Sequence, residues 1–256
     1  MRRPAALFAA ACLGSTLAVA QSAAEPDAPT SPVVLELYTS QGCSSCPPAD
    51  ELFATLAQRD DVIALALHVD YWDYLGWKDE LARPRHAARQ KAYAKAARSR
   101  TIYTPEMIVQ GEDRLKGHDA ATIADEIAAH RREAPGAALA VAREGDVLRI
   151  DIAPASGSVE GRAPDAGIGF AAAAAPLQAD VHVVRYIPEE RVAIEAGENA
   201  GRTMTYLNIV TDWQTVGQWD GVSDANFVYD HPAPGPVAVI VQRARTGPIL
   251  AAARLP

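Results

Sequence analysis

The feature that most restricts this chain is Cys43-Ser44-Ser45-Cys46, set between the apolar run Val33-Val34-Leu35-Glu36-Leu37-Tyr38 and the segment Pro47-Pro48-Ala49-Asp50-Glu51-Leu52-Phe53. The apolar run reads as a mostly buried strand and Thr39 to Gly42 as a turn. The two prolines then start a helix, where their missing N–H groups cost little because first-turn donors have no partner inside the helix. Leu52, Phe53 and Leu56 keep helical spacing, and the helix is expected to end near Arg59-Asp60. A strand, a turn and a C-x-x-C that opens a helix put the first cysteine at a helix N-terminus. Unpaired backbone N–H groups and the positive end of the helix dipole favour a thiolate there. The thiolate is the nucleophile of thiol–disulfide exchange, so Cys43 is expected to attack and Cys46, one turn further in, to resolve the mixed disulfide.

The N-terminus bears on what these cysteines do. Arg2 and Arg3 precede an apolar run from Ala5 to Val19 that closes on Ala18-Val19-Ala20, the layout of a secretory signal peptide over residues 1–20. Gly14, Ser15 and Thr16 interrupt the run, which is shorter than the roughly 20 apolar residues of a spanning helix. The reading is an exported protein, periplasmic or extracellular, with no membrane association after cleavage. Cleavage also removes Cys12, leaving Cys43 and Cys46. In an oxidising compartment cysteines are expected to pair, yet this bridge closes a very short loop and gains little chain entropy. Such a disulfide is a poor staple and sensible chemistry. Zinc sites share the spacing, but a structural zinc takes four ligands and no second cysteine pair exists. Redox exchange is therefore favoured over two alternatives: a non-catalytic binding module with a passive disulfide, and a copper-handling protein using Cys43, Cys46 and His68. No cofactor or resident metal is expected. The full chain carries 24 Lys and Arg against 32 Asp and Glu, and loses only positive charges on cleavage. That balance argues against nucleic acid as a partner, because binding it requires neutralised phosphates.

Residues 21–32, rich in Ala, Pro, Ser and acids, read as a flexible lead-in. Val62 to Val69 form a second continuous apolar run, as expected of a parallel strand covered on both faces. An aromatic loop follows, then a basic, Ala-rich helix over about Pro84 to Ser99. Met107-Ile108-Val109 is a short third strand after Thr104-Pro105, Gly111 to Leu115 turns back as a fourth, and Asp119 to Glu133 is an amphipathic helix. The order is β-α-β-α-β-β-α over residues 33–134. After Ala134-Pro135-Gly136 the texture changes to short strands at 138–142, 147–152, 181–187, 203–210, 237–243 and 249–254, separated by Gly, Pro and Asn clusters. Residues 137–256 are thus expected to form a β-rich second domain, a sandwich or barrel. The run Ala171 to Ala175 fits either strand or helix, and no internal repeat is found.

The strand, turn, C-x-x-C and helix order, with Thr104-Pro105 before the third strand, resembles the thioredoxin superfamily across residues 33 to about 133. The resemblance implies an α/β thioredoxin-like domain with a mixed sheet. It also implies a cis Pro105 whose backbone, with that of Thr104, lies against Cys43 and pairs with an extended substrate. More narrowly, Glu36 to Asp50, His68-Val-Asp-Tyr-Trp-Asp73, Tyr103-Thr-Pro105 and Gly197-Glu-Asn-Ala-Gly-Arg202 resemble a family of secreted bacterial thioredoxin-like proteins of uncharacterised function. Ser44-Ser45 stand where thioredoxin has Gly-Pro, which leaves the direction of the chemistry open. The activity implied is thiol–disulfide oxidoreduction on polypeptide or small-molecule disulfides and thiols, with the β-domain for partner binding. Oligomeric state is not indicated.

Thioredoxins also carry a buried acid behind the cysteines that helps deprotonate the resolving thiol. Glu36 is the nearest candidate, since a carboxylate in an apolar run is costly unless paired. Asp70 to Trp77 hold aromatics that fit either a polypeptide grip or internal packing. His68 reads as a satisfied core histidine, the basic helix from Arg83 to Arg98 as a solvated face in preference to an anionic-partner surface, and Asn199 and Arg202 as turn residues in preference to a second site.

Overall fold

The computed structural model describes residues 31–155, 178–230 and 234–256. The signal-peptide segment, most of the lead-in and the Ala171 to Ala175 run lie outside the described residues. Among the described residues fifteen elements follow one another: β1 (Val33–Thr39), α1 (Pro47–Leu56), β2 (Val62–His68), a 3-10 turn at Asp73–Leu75, α2 (Pro84–Ala96), β3 (Glu106–Val109), β4 (Asp113–Lys116) and α3 (Ala120–His130). After these come β5 (Ala137–Glu144), β6 (Val147–Pro154), β7 (Ala179–Ala193), β8 (Thr203–Trp219), β9 (Ala225–Asp230), β10 (Val237–Arg243) and β11 (Ile249–Leu255). Both β1 and β2 are buried along their whole length and pair in parallel from Val33–Val62 to Thr39–His68. Their unbroken apolar runs reflect cover on both faces. The α1 prolines occupy its first two positions, and the Asp119 carboxylate caps α3 by accepting from the Thr122 N–H at 3.2 Å.

The strands after residue 136 do not form a separate sandwich or barrel. Eight strands make one mixed sheet in the order β11-β10-β7-β8-β2-β1-β3-β4, and β5-β6-β9 make a second, antiparallel sheet. The reason is length. Instead of the short strands expected at 181–187 and 203–210, β7 and β8 run for 15 and 17 residues, with register shifts near Val181 and Arg185. One edge of β8 pairs with β7 from Thr203 to Trp219, and its other edge meets β2, where Ile209 pairs with Ala66. The strand β9, absent from the sequence reading, lays Phe227 against Gly217 of β8, where any Cβ would overlap the ring.

Alternation along the strands sorts the core. Val34, Tyr38, Leu65, Leu67, Val184 and Ile240 face α2, with Ala87 and Tyr93 of that helix among them. Leu35, Leu37, Ala64, Ala66 and Met107 face α1 and α3 through Phe53, Leu56, Ile123 and Ile127. Val181, Val183, Val239 and Val241 meet Leu148, Ile150 and Ile152 of the second sheet.

On the α2 side lies a buried polar cluster. Arg89 donates to both Glu36 oxygens at 2.8 and 2.7 Å and to Gln242 Oε1 at 2.9 Å, and stacks 3.7 Å over Trp213. Tyr38 and Tyr93 hydroxyls donate to the same carboxylate. The helix expected to be a solvated basic face thus turns Arg89 inward. Burial alone would raise the Glu36 pKa, but the Arg89 charge and the hydrogen bonds from Arg89, Tyr93 and Tyr38 outweigh it and lower the pKa. Replacing Arg89 by Met strands that charge in the core. We expect a loss of about 3–5 kcal/mol in urea unfolding, the cost of breaking a buried ion pair; a change under about 0.5 kcal/mol would contradict the role assigned to the pair.

Candidate functional site

The turn from Ser40 to Cys46 joins the end of β1 to α1. Cys43 N–H donates to Ser40 O at 3.1 Å, Cys46 N–H to Cys43 O at 3.1 Å, and Asp50 N–H to Cys46 O at 3.1 Å. Cys43 and Cys46 form a disulfide with Cα atoms 5.4 Å apart. Cys46 is the N-cap of α1, and Cys43 lies in the turn before it rather than in the helix. Pro47 and Pro48 supply no N–H, so local donors to a Cys43 thiolate come from elsewhere. Ser45 Oγ lies 3.3 Å from Cys43 Sγ and points equally toward Thr104 O at 3.5 Å. Ser45, which in the sequence stands out only as a departure from Gly-Pro, holds its one hydroxyl proton within reach of either acceptor.

Three segments close on this turn. The Thr104-Pro105 peptide bond is cis, and Trp72 Nε1 donates to Thr104 Oγ1 at 2.7 Å. Gln90 of α2 holds the same loop by donating to Tyr103 O at 2.7 Å and to the Glu106 carboxylate at 2.6 Å. Gly117 lets β4 pass behind the proline: a Cβ there would sit 2.8 Å from Pro105 Cβ and 3.2 Å from Ala49 Cβ. From the loop after β2, Trp77 Nε1 donates to Gln41 Oε1 at 2.7 Å, and Asp79 Oδ2 accepts from Gln41 N–H at 2.9 Å. From the loop between β7 and β8, Asn199 Nδ2 donates to Gln41 O and Cys43 O, each at 2.9 Å. The aromatic loop therefore packs inward through Trp72 and Trp77, while Tyr74 stands 76 % exposed beside Trp72.

Glu36 does not stand behind the cysteines. It alternates with Leu35, Leu37 and Thr39, so its side chain leaves the sheet on the α2 face, opposite α1. The acid beneath the disulfide is Asp50, one helical turn after Cys46 and buried. Thr39 donates its hydroxyl to Asp50 Oδ1 at 2.8 Å, and Oδ2 has no hydrogen-bond partner among the described residues. Burial pushes the Asp50 carboxyl up to about 7, against only partial relief from His68 and the Thr39 hydroxyl. His68 Nδ1 lies 2.8 Å from Asp79 Oδ2, its Nε2 is likewise unpartnered, and its ring packs edge-on to Tyr206 of β8 at 4.6 Å. Burial would raise Asp79, but His68 and the Gln41 and Leu81 N–H groups outweigh it and hold its carboxyl below the ordinary range. Asp50 was hidden in the sequence as an ordinary first-turn helix acid. Its spacing of four from Cys46, which puts both on one helix face, is the signal that finds it.

Among the described residues, the one His, Cys and acid group close enough to share a metal ion is Asp113, Glu126 and His130, away from the disulfide. There His130 Nε2 and Asp113 Oδ2 already lie 2.7 Å apart and tie α3 to β4. No described helix is long and apolar enough to cross a membrane.

Fold and site together define a mixed α/β protein, mostly strands, with a C-x-x-C disulfide at the start of its first helix. The family described as "Protein of unknown function (DUF1223)" matches residues 34–242, and the chain belongs to it. A protein of Agrobacterium tumefaciens of known crystal structure is 34% identical, with a TM-score of 0.69 over 87% of this chain and 93% of that one. HBP35 of Porphyromonas gingivalis shares the fold at 15% identity, with a TM-score of 0.53 over 88% of this chain and 75% of its own. No curated protein matches the chain.

The Asp50 carboxyl has a measurable consequence. An acid whose folded pKa exceeds its unfolded value binds more protons in the native state between the two, so stability falls as pH rises from about 4 to about 7. Asp50→Asn keeps an acceptor for Thr39 and removes that penalty. The variant should exceed the wild type in urea unfolding at pH 8, by up to about 4 kcal/mol at 1.36 kcal/mol per unit, and lose its advantage at pH 4. An equal difference at both pH values would show that Asp50 is not held protonated by burial.

Proposed function

We propose that the protein is an exported thiol–disulfide oxidoreductase whose first half is thioredoxin-like. The observation that carries the reading is the Cys43–Cys46 disulfide at the start of α1, with Ser45 Oγ 3.5 Å from Thr104 O and the buried Asp50 carboxyl one helical turn after Cys46. The parallel β1 and β2, antiparallel β3 and β4, and helices on both faces support the thioredoxin-like reading of residues 33–134. The N-terminal arginine pair and apolar run support export.

In the reducing direction, the Cys43 thiolate attacks a substrate disulfide. One substrate thiolate leaves, and a mixed disulfide to Cys43 forms. Ser45 Oγ–H stabilises the anion before attack. Cys46 gives its proton to the Asp50 carboxylate, attacks Cys43 Sγ and expels the second substrate thiolate, so two electrons pass to the substrate and the Cys43–Cys46 disulfide remains. A dithiol donor restores the reduced form by the same exchange in reverse. An acid with its pKa near 7 suits both directions, since it takes and returns a proton at working pH. The Thr104 carbonyl, 3.5 Å from Ser45 Oγ, and the exposed Tyr74 beside Trp72 are the groups offered to a polypeptide substrate.

Blocking resolution tests the proposal. With Cys46→Ser, Cys43 should accumulate dithiothreitol-sensitive mixed disulfides when incubated with an oxidised model polypeptide such as insulin, and Cys43→Ser should form none. No mixed disulfide from Cys46→Ser would leave the bridge a passive one and overturn the proposal.

A further inference from the structure

The β7–β8 loop reaches the disulfide turn from the far part of the chain, and one side chain does most of the joining. Asn199 is 3 % exposed, and its single NH2 group spends one hydrogen on Gln41 O and one on Cys43 O. These carbonyls flank the turn that carries the nucleophile. The orientation of the amide is fixed, because a flipped Asn199 would set its oxygen against two carbonyl oxygens. Its Oδ1 has no hydrogen-bond partner among the described residues, so the side chain is held there by donation alone. Backing is tight: a Cβ at Gly197, whose φ is +77°, would lie 3.0 Å from Trp77 Cβ, and Trp77 itself donates to Gln41. Gln41 is thereby gripped at its N–H by Asp79, at its side chain by Trp77 and at its carbonyl by Asn199.

We infer that Asn199 is a positioning residue that sets the redox equilibrium of the Cys43–Cys46 pair, a role that rests on the oxidoreductase reading above. The physics is local. The Cys43 carbonyl also accepts the Cys46 N–H, so it is the hinge point of the dithiol turn. Two N–H dipoles from Asn199 offset the negative ends of the carbonyls beside the sulfur, which favours a thiolate at Cys43 and therefore the reduced form. The Gly197 to Arg202 stretch, which the sequence suggests is a turn in preference to a second site, thus completes the site from outside residues 33–134.

The test equilibrates the full protein with glutathione redox buffers and follows alkylation of Cys43 by iodoacetamide at fixed pH. Asn199→Ala removes both donors, and Asn199→Asp replaces them with a charge that repels both carbonyls and the thiolate. Each should stabilise the disulfide, Asp more than Ala, by at least tenfold in the equilibrium constant, about 30 mV for a two-electron couple, and slow alkylation of the reduced protein. Glu198→Gln, an exposed neighbour, should match the wild type. A wild type that equilibrates, with Asn199 variants that match it, overturns the inference alone. A wild type whose bridge never exchanges overturns the oxidoreductase reading and this inference with it. Should both variants fail to fold, the Asn199 side-chain amide signals of the wild type decide: they should move on reduction and exchange slowly with solvent, and signals that do neither overturn the role.

Discussion

The structure depends on one parallel contact, the pairing of Ala66 in β2 with Ile209 in β8. Strands from the two parts of the chain become a single eight-stranded sheet there. The loop before β8 and the first residues of β8 also reach the disulfide turn and the end of β2: Asn199 donates to Cys43 O, and Tyr206 packs edge-on against His68. A segment that ended near residue 134 would lose both contacts and leave β2 as an open edge, a row of unpaired backbone groups ready to pair elsewhere.

Two buried acids on opposite faces of the sheet meet different fates. Glu36 is surrounded by donors and a guanidinium, so charge wins over desolvation and the carboxylate stays ionised. Asp50 has one hydroxyl and no cation in hydrogen-bond contact, so desolvation wins and its proton is held up to about pH 7. Burial is similar for both; the difference lies in their partners. Only the second can exchange a proton near neutrality, and it shares a helix face with Cys46. The first is a structural anchor between β1, α2 and β10, through Arg89, Tyr93 and Gln242.

Much of this was legible before the structure. The continuous apolar runs at 33–38 and 62–69, and the helical spacing after Pro47, marked β1, α1 and β2 because parallel buried strands leave an unmistakable pattern. Strand positions after residue 136 were mostly legible too, but not their lengths or sheet membership. Polar interruptions such as Thr211-Asp212 hid the continuation of β8, and pairing between distant strands leaves no local trace in a single sequence. Glu36 drew attention because an acid in an apolar run is conspicuous, yet the cation that neutralises it lies 53 residues away, among bases that read as a solvated face. Asp50 was inconspicuous because a helix acid is ordinary, and Asn199 fits a turn as well as a site; only their tertiary surroundings decide.

The central claim is that Cys43 and Cys46 exchange electrons reversibly rather than lock a turn. Its most direct measurement is the reduction potential of the native disulfide, from the fraction of doubly alkylated protein across thiol–disulfide buffers. The account predicts a value between about −270 and −120 mV, the range of thiol–disulfide oxidoreductases; a potential below about −300 mV, where structural bridges resist reduction, would contradict it.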